Sequence, residues 1–94
     1  MKFFNTNIDE VKIIEPKIWS DSRGYFFEAF QSKIFNDNGI TETFVQDNEV
    51  QSKQGVLRGL HYQLKKPQGK LVRVIMGSII DVAVDIRIGS PTFS

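Results

Sequence analysis

The sequence predicts an all-β fold, and three observations carry that expectation. At least six short stretches are rich in β-branched and aromatic residues. Turn clusters built from Gly, Asp, Ser and Pro separate them at short intervals. Only one stretch, "SKIFNDNG", reads as a helix. The pattern fits an antiparallel sandwich, jelly roll or small barrel with one short helix. At 94 residues, a single domain spanning 1–94 is expected.

Each element follows from local chemistry. Val11 and Ile13 flank Lys12, and Ile14 and Glu15 lead to Pro16, which reads as a strand. Ile18 and Trp19 form the next, before the turn cluster "SDSRG" at Ser20 to Gly24. Asp and Ser start such turns through side-chain hydrogen bonds, and Gly permits a positive φ. "YFFEAF", Tyr25 to Phe30, is a strand with Phe26, Glu28 and Phe30 on one face and Tyr25, Phe27 and Ala29 on the other. In the helix Ser32 is the expected N-cap and Gly39 the C′ residue, with Ile34 and Phe35 facing inward. From Thr43 the pattern is again β. "TFVQDNEVQ" is a strand, "SKQG" a turn, "VLRGLHYQ" a strand and "LKKPQG" a loop. "KLVRVIM" and "IIDVAVDIRI" are strands joined at Gly77-Ser78, which suits a type II′ hairpin. "GSPT" is a further turn, and "TFS" reads as the start of another strand.

Composition narrows the function. Twelve Lys and Arg against eleven Asp and Glu give a net charge of +1, no electrostatic basis for a nucleic acid or membrane partner. There is no cysteine, so disulfides, thiolate nucleophiles and Cys-based metal sites are excluded. "MKFFNTNIDE" reaches acidic residues too early for a signal peptide, and no apolar run approaches about 18 residues, so a soluble cytoplasmic protein is expected. Eight phenylalanines demand a good core or an aromatic-lined pocket. A chain this short buries only about 60–65% of its unfolded surface, which leaves hydrophobic faces for another subunit or further sequence to cover.

The chemistry centres on His61, the one histidine, within "GVLRGLHYQ". A lone strand histidine is usually a packed structural residue. In a regular strand Arg58 also points away from His61, unless a bulge at Gly59 flips the parity. A functional reading needs cations nearby. Lys70 begins the next strand, and a lysine or arginine steadies the oxygen of an enolate. A neutral imidazole has a pKa near 6.5, suited to taking a proton next to a ketone without a cofactor. Asp81 could orient the ring, although its spacing fits a solvent-facing strand position better. Metal binding is weakly supported, since no second histidine exists. Gln46, Asp47 and Asn48 form a dense polar set that needs partners if buried, although the sequence pattern alone favours ordinary exposed edge residues. Arg23 in "DSRG" suits bidentate phosphate binding, with Glu28 on the strand beyond it.

"DSRGYFFEAF", "FVQDN", "GVLRGLHYQ", "PQGKLVRV" and "GSIIDVAVDIRIGSPTF" together resemble the N-terminal half of the dTDP-4-dehydrorhamnose 3,5-epimerase family, from about Val11 onward. The resemblance implies a cupin-type double-stranded β-helix, or jelly roll, here partial, working as a homodimer without a cofactor. It implies inversion at two carbons flanking the ketone of a dTDP-4-keto-6-deoxyhexose, in dTDP-L-rhamnose biosynthesis. It puts His61 at the proton-accepting base and Lys70 near the keto oxygen. Arg58 falls on a further substrate contact, and Arg23, Glu28, Gln46, Asp47 and Asn48 on nucleotide-sugar contacts. Arg23 and Glu28 would serve the neighbouring protomer's site. The family's general acid, a tyrosine, and the aspartate paired with the base belong to a half absent from these 94 residues. A related dTDP-sugar 3- or 5-epimerase, a ketoisomerase, or a non-catalytic binding or assembly remnant is the alternative.

Overall fold

The structure is a computed structural model that describes residues 1–93. It divides into two units, residues 1–41 with 78–94, and residues 42–77.

In the first unit, β1 (Lys2–Asn5) pairs antiparallel with β2 (Lys12–Glu15), Phe3 opposite Ile14 and Phe4 opposite Ile13. Thr6 holds the connection, its hydroxyl 2.8 Å from both the Ile8 and Val11 carbonyl oxygens. The sequence pattern did not mark β1, because two adjacent phenylalanines show no period of two. The second hairpin joins β3 (Ile18–Asp21) to β4 (Gly24–Phe27), with Trp19 opposite Phe26. Its turn forms as expected. Asp21 Oδ1 accepts from the Arg23 backbone N–H at 2.8 Å, and Gly24 takes φ +139°. Tyr25 and Phe27 stack at 5.9 Å on one face of β4. The strand stops at Phe27, short of the expected Phe30.

The short helix α1 (Ser32–Asp37) buries the one fully enclosed large side chain among the described residues, Phe35 at 1% exposure. Phe3 and Phe30 meet that ring edge-on, at centroid distances of 5.4 and 4.7 Å. The N-cap is Gln31, one residue before the expected Ser32. Its backbone is extended, and its side-chain oxygen accepts from Ile34 N–H at 2.9 Å. Gly39 closes the helix at φ +86°, with Gly39 N–H donating to Asn36 and Ile40 N–H to Phe35. That pair of bonds is a Schellman motif, which needs a left-handed C′ residue.

The C-terminal part of this unit is organised by Asp85, which the strand pattern read as a plain alternating position. Its carboxylate is buried and accepts from Arg87 Nε at 2.9 Å, from Thr92 Oγ1 at 2.6 Å and from Ser90 Oγ. Arg87 also grips Glu10, with Nη1 to Oε1 at 2.8 Å. The expected "GSPT" turn is present, Ser90 N–H donating to Arg87 and Phe93 N–H to Ser90. Phe93 makes an isolated bridge with Asp85, and Ser94, at the end of "TFS", lies outside the described residues.

The strands expected from Thr43 onward need correction. "TFVQDNEVQ", "VLRGLHYQ" and "KLVRVIM" carry no ladder, and "IIDVAVDIRI" enters only the Asp85 bridge. Alternation specifies an extended backbone, but a ladder also needs a second strand about 4.8 Å away. No described segment takes that place. Side chains here are open to solvent, Leu57 and Met76 each 92% exposed. The "SKQG" turn does form, with Val56 N–H donating to Lys53 at 3.2 Å and Gly55 at φ +86°. At Gly77 the chain only bends, also at φ +86°, and the type II′ hairpin is not made. The regular elements are thus strands and one short helix. Among the described residues no helix is long and apolar enough to cross a membrane.

Candidate functional site

Arg23 sits at the tip of the β3–β4 hairpin, fixed by the same aspartate that makes the turn. Its Nη2 lies 2.6 Å from Asp21 Oδ2 and its Nε 3.3 Å from the same oxygen. The guanidinium and the Arg23 backbone N–H hold the Asp21 carboxyl below the usual carboxylate range. Trp19, Tyr25 and Phe26 join these two in lining an open concavity of about 420 Å³. An arginine beside aromatic faces can take both the phosphate and the ring of a nucleotide. Glu28 follows β4 and is exposed, with no hydrogen bond to the described residues.

Six of the eight expected site residues, Gln46, Asp47, Asn48, Arg58, His61 and Lys70, lie in the second unit. Gln46 Nε2 donates to Asn48 Oδ1 at 3.3 Å, and Asp47 between them is exposed and makes no hydrogen bond or ion pair with a described residue. Arg58 Nε donates to Ser52 Oγ at 3.1 Å. Gln63 and Gln68 clip the bases of the loop before Lys70, with Nε2 to Oε1 at 3.2 Å.

The backbone at Gly59 is irregular, but it belongs to no strand, so the expected bulge is not formed. Gly59 takes φ +107°, a conformation that side chains on Cβ rarely adopt, and its peptide to Leu60 is cis. The imidazole lies on the face where a Gly59 side chain would stand, its Nδ1 3.7 Å from that Cβ position. Both His61 and Lys70 are exposed, and neither makes a hydrogen bond or ion pair with a described residue. No described contact joins His61 to Lys70 or to Arg58. The segment thus presents a free imidazole, a free ammonium and a tethered guanidinium. Such a set can take a proton and steady an oxyanion.

Sequence reasoning missed Ser52 and the Asp85 cluster. The signal for the second was "DIRIGSPT", which packs one carboxylate, one arginine and two hydroxyls into eight residues. Arg87 and the hydroxyls of Ser90 and Thr92 hold Asp85 far below the usual carboxylate range. Asp85 and Glu10 in turn push Arg87 further up.

Comparison with known proteins gives a consistent answer. The profile of the dTDP-4-dehydrorhamnose 3,5-epimerase family matches residues 5–94. A dTDP-4-dehydrorhamnose 3,5-epimerase of Methanothermobacter thermautotrophicus is 58% identical over 98% of this chain and 50% of its own length. One of Pseudomonas aeruginosa is 50% identical, over 99% of this chain and 52% of its own. This chain therefore spans about half the length of these curated relatives. The crystal structure of dTDP-6-deoxy-D-glucose-3,5-epimerase from Legionella pneumophila, in complex with dTDP-4-keto-L-rhamnose, superposes with a TM-score of 0.93. That match has 61% identity and covers 98% of this chain and 50% of the other. On sequence and on structure alike, this chain belongs to the dTDP-4-dehydrorhamnose 3,5-epimerase family.

Proposed function

We propose that this chain carries the proton-abstracting part of a dTDP-4-dehydrorhamnose 3,5-epimerase, which converts dTDP-4-keto-6-deoxy-D-glucose to dTDP-4-keto-L-rhamnose. The observation that supports this most is the likeness to the Legionella epimerase, a structure that holds a dTDP-4-keto sugar. On this reading the 94 residues belong to one jelly-roll domain of the cupin type, in a cytoplasmic homodimer.

Neutral His61 takes the proton from a carbon next to the ketone. The C–H electron pair moves into the ring and onto the keto oxygen, forming an enolate. Lys70 stabilises that oxygen by a charge-assisted hydrogen bond, and Arg58 is a further substrate contact. Reprotonation from the opposite face inverts the carbon. The substrate's own carbonyl is the electron sink, so no cofactor takes part. Arg23, Glu28, Gln46, Asp47 and Asn48 hold the nucleotide sugar, with Arg23 and Glu28 reaching the partner protomer's site.

One observation favours a second reading, a nucleotide-sugar-binding module without turnover. An efficient imidazole base has its other nitrogen held by an acceptor. His61 has no such partner among the described residues. Solvent-deuterium exchange separates the two. The chain is incubated with dTDP-4-keto-6-deoxy-D-glucose in deuterium oxide and the sugar followed by NMR. Exchange at the carbons flanking the ketone, slower than in a full-length relative and lost in His61→Ala, is the expected result. Binding of dTDP without exchange supports the module. An absence of both exchange and binding refutes both readings.

A further inference from the structure

Ser52 has no part in the chemistry above, yet it makes the one hydrogen bond that Arg58 forms with a described residue. We propose that Ser52 is a positioning residue, holding the Arg58 guanidinium so that its free end meets the diphosphate of the nucleotide sugar. The inference rests on the proposed function and extends it to a residue outside the family-derived site.

The contact is built by the local fold. Six residues of extended chain span about 20 Å, so Ser52 and Arg58 meet only because the chain reverses between them. The reversal is the Lys53 to Val56 turn, closed by Val56 N–H donating to Lys53 at 3.2 Å, with Gly55 at φ +86°. Across it Arg58 Nε lies 3.1 Å from Ser52 Oγ.

The geometry of that bond fixes what Arg58 can still do. A guanidinium has five N–H donors in a planar fork. The hydroxyl occupies Nε and removes one torsional freedom of the plane. Both Nη groups remain without a partner among the described residues, so the end-on pair of donors is open. Parallel N–H donors match two oxygens of a phosphate. The partner's charge matters as well. Arg23 is bound through Nε and Nη2 to a carboxylate, which offsets its charge. Ser52 is neutral, so it orients Arg58 and leaves the full positive charge for a ligand.

Titration calorimetry with dTDP, on the full 94-residue chain, tests the role. Ser52→Ala is expected to weaken dTDP binding about threefold to tenfold, the worth of one hydrogen bond. Ser52→Thr, which keeps the hydroxyl, restores it. In an Arg58→Ala background, Ser52→Ala adds no further loss, because the two act as one unit. Ser52→Asp, which ties Arg58 to a carboxylate, weakens binding more than Ser52→Ala does. Unchanged binding in Ser52→Ala, or a loss that persists without Arg58, overturns the positioning role and leaves the proposed function standing. Failure of the unaltered chain to bind dTDP overturns both.

Discussion

Replacing Phe35 should remove most of what holds the first unit together. Its ring is 1% exposed and sits between α1, Phe3 on β1 and Phe30 beyond β4. Burying a phenylalanine contributes up to about 3 kcal/mol. Each edge-on ring pair adds about 0.5–1.5 kcal/mol. Phe35→Ala should therefore cost about 4 kcal/mol, within the roughly 3–5 kcal/mol seen when a large aromatic is cut back in a core. Phe35→Leu keeps much of the burial and loses both ring pairs, so about 1–3 kcal/mol is expected. The assay is urea unfolding followed by circular dichroism and tryptophan emission. With a slope of roughly 1–2 kcal/mol per molar for a chain this size, the alanine variant should unfold at least about 2 M earlier. A loss below about 1 kcal/mol would refute the view that this one ring organises the unit. Equal losses for alanine and leucine would show that ring geometry, rather than volume, carries the energy.

Two further predictions concern the ends of that unit. Gln31→Ala should cost about 1 kcal/mol, because it strips the acceptor from Ile34 N–H, while Ser32→Ala should stay within about 0.5 kcal/mol. Urea midpoints of the two variants decide which residue caps α1. Asp85, Asp21 and Glu10 all titrate below their ordinary values in the folded chain. Groups lowered in this way stabilise the fold fully above their unfolded pKa and lose that contribution as pH falls through the folded one. Urea midpoints should therefore fall from about pH 6 to about pH 3, and fall less in Asp85→Asn than in the unaltered chain. An unchanged midpoint across that range would refute the Asp85 cluster as a stabilising feature.

How much of this was legible in the sequence depends on whether the determinant is local. Gly24, Gly39 and Gly55 are at positive φ where turn chemistry required glycine. Asp21 was legible for the same reason, since its carboxylate bonds a backbone N–H two residues away. Ser32 outranks Gln31 on capping preference. The longer side chain nonetheless reaches Ile34 N–H from an extended backbone one position earlier, which preference scales do not encode. The Asp85 cluster draws on Glu10, 77 residues from Arg87, and no local pattern announces such a pair. For the site, the blocks around His61 and Arg23 identified the family outright, and the family profile covers nearly the whole chain. The Ser52 tether was not legible, because serine near a turn has an ordinary reading as a turn former.

Residue type and residue orientation come from different sources here. An imidazole, an ammonium and a guanidinium are written into residues 58–70 by sequence alone. Catalysis also requires each to be held within about half an ångström of its working position, by packed neighbours and second hydrogen bonds. Arg23 meets that requirement through Asp21, and Arg58 meets it in part through Ser52. His61 and Lys70 have no such support from the described residues, and Leu57 and Leu60 beside them are 92% and 75% exposed. The groups proposed to bind phosphate are therefore pre-oriented, while the groups proposed to move protons are not. Ligand recognition should accordingly depend less on further packing than proton transfer does, which is why binding and exchange can part company in this chain.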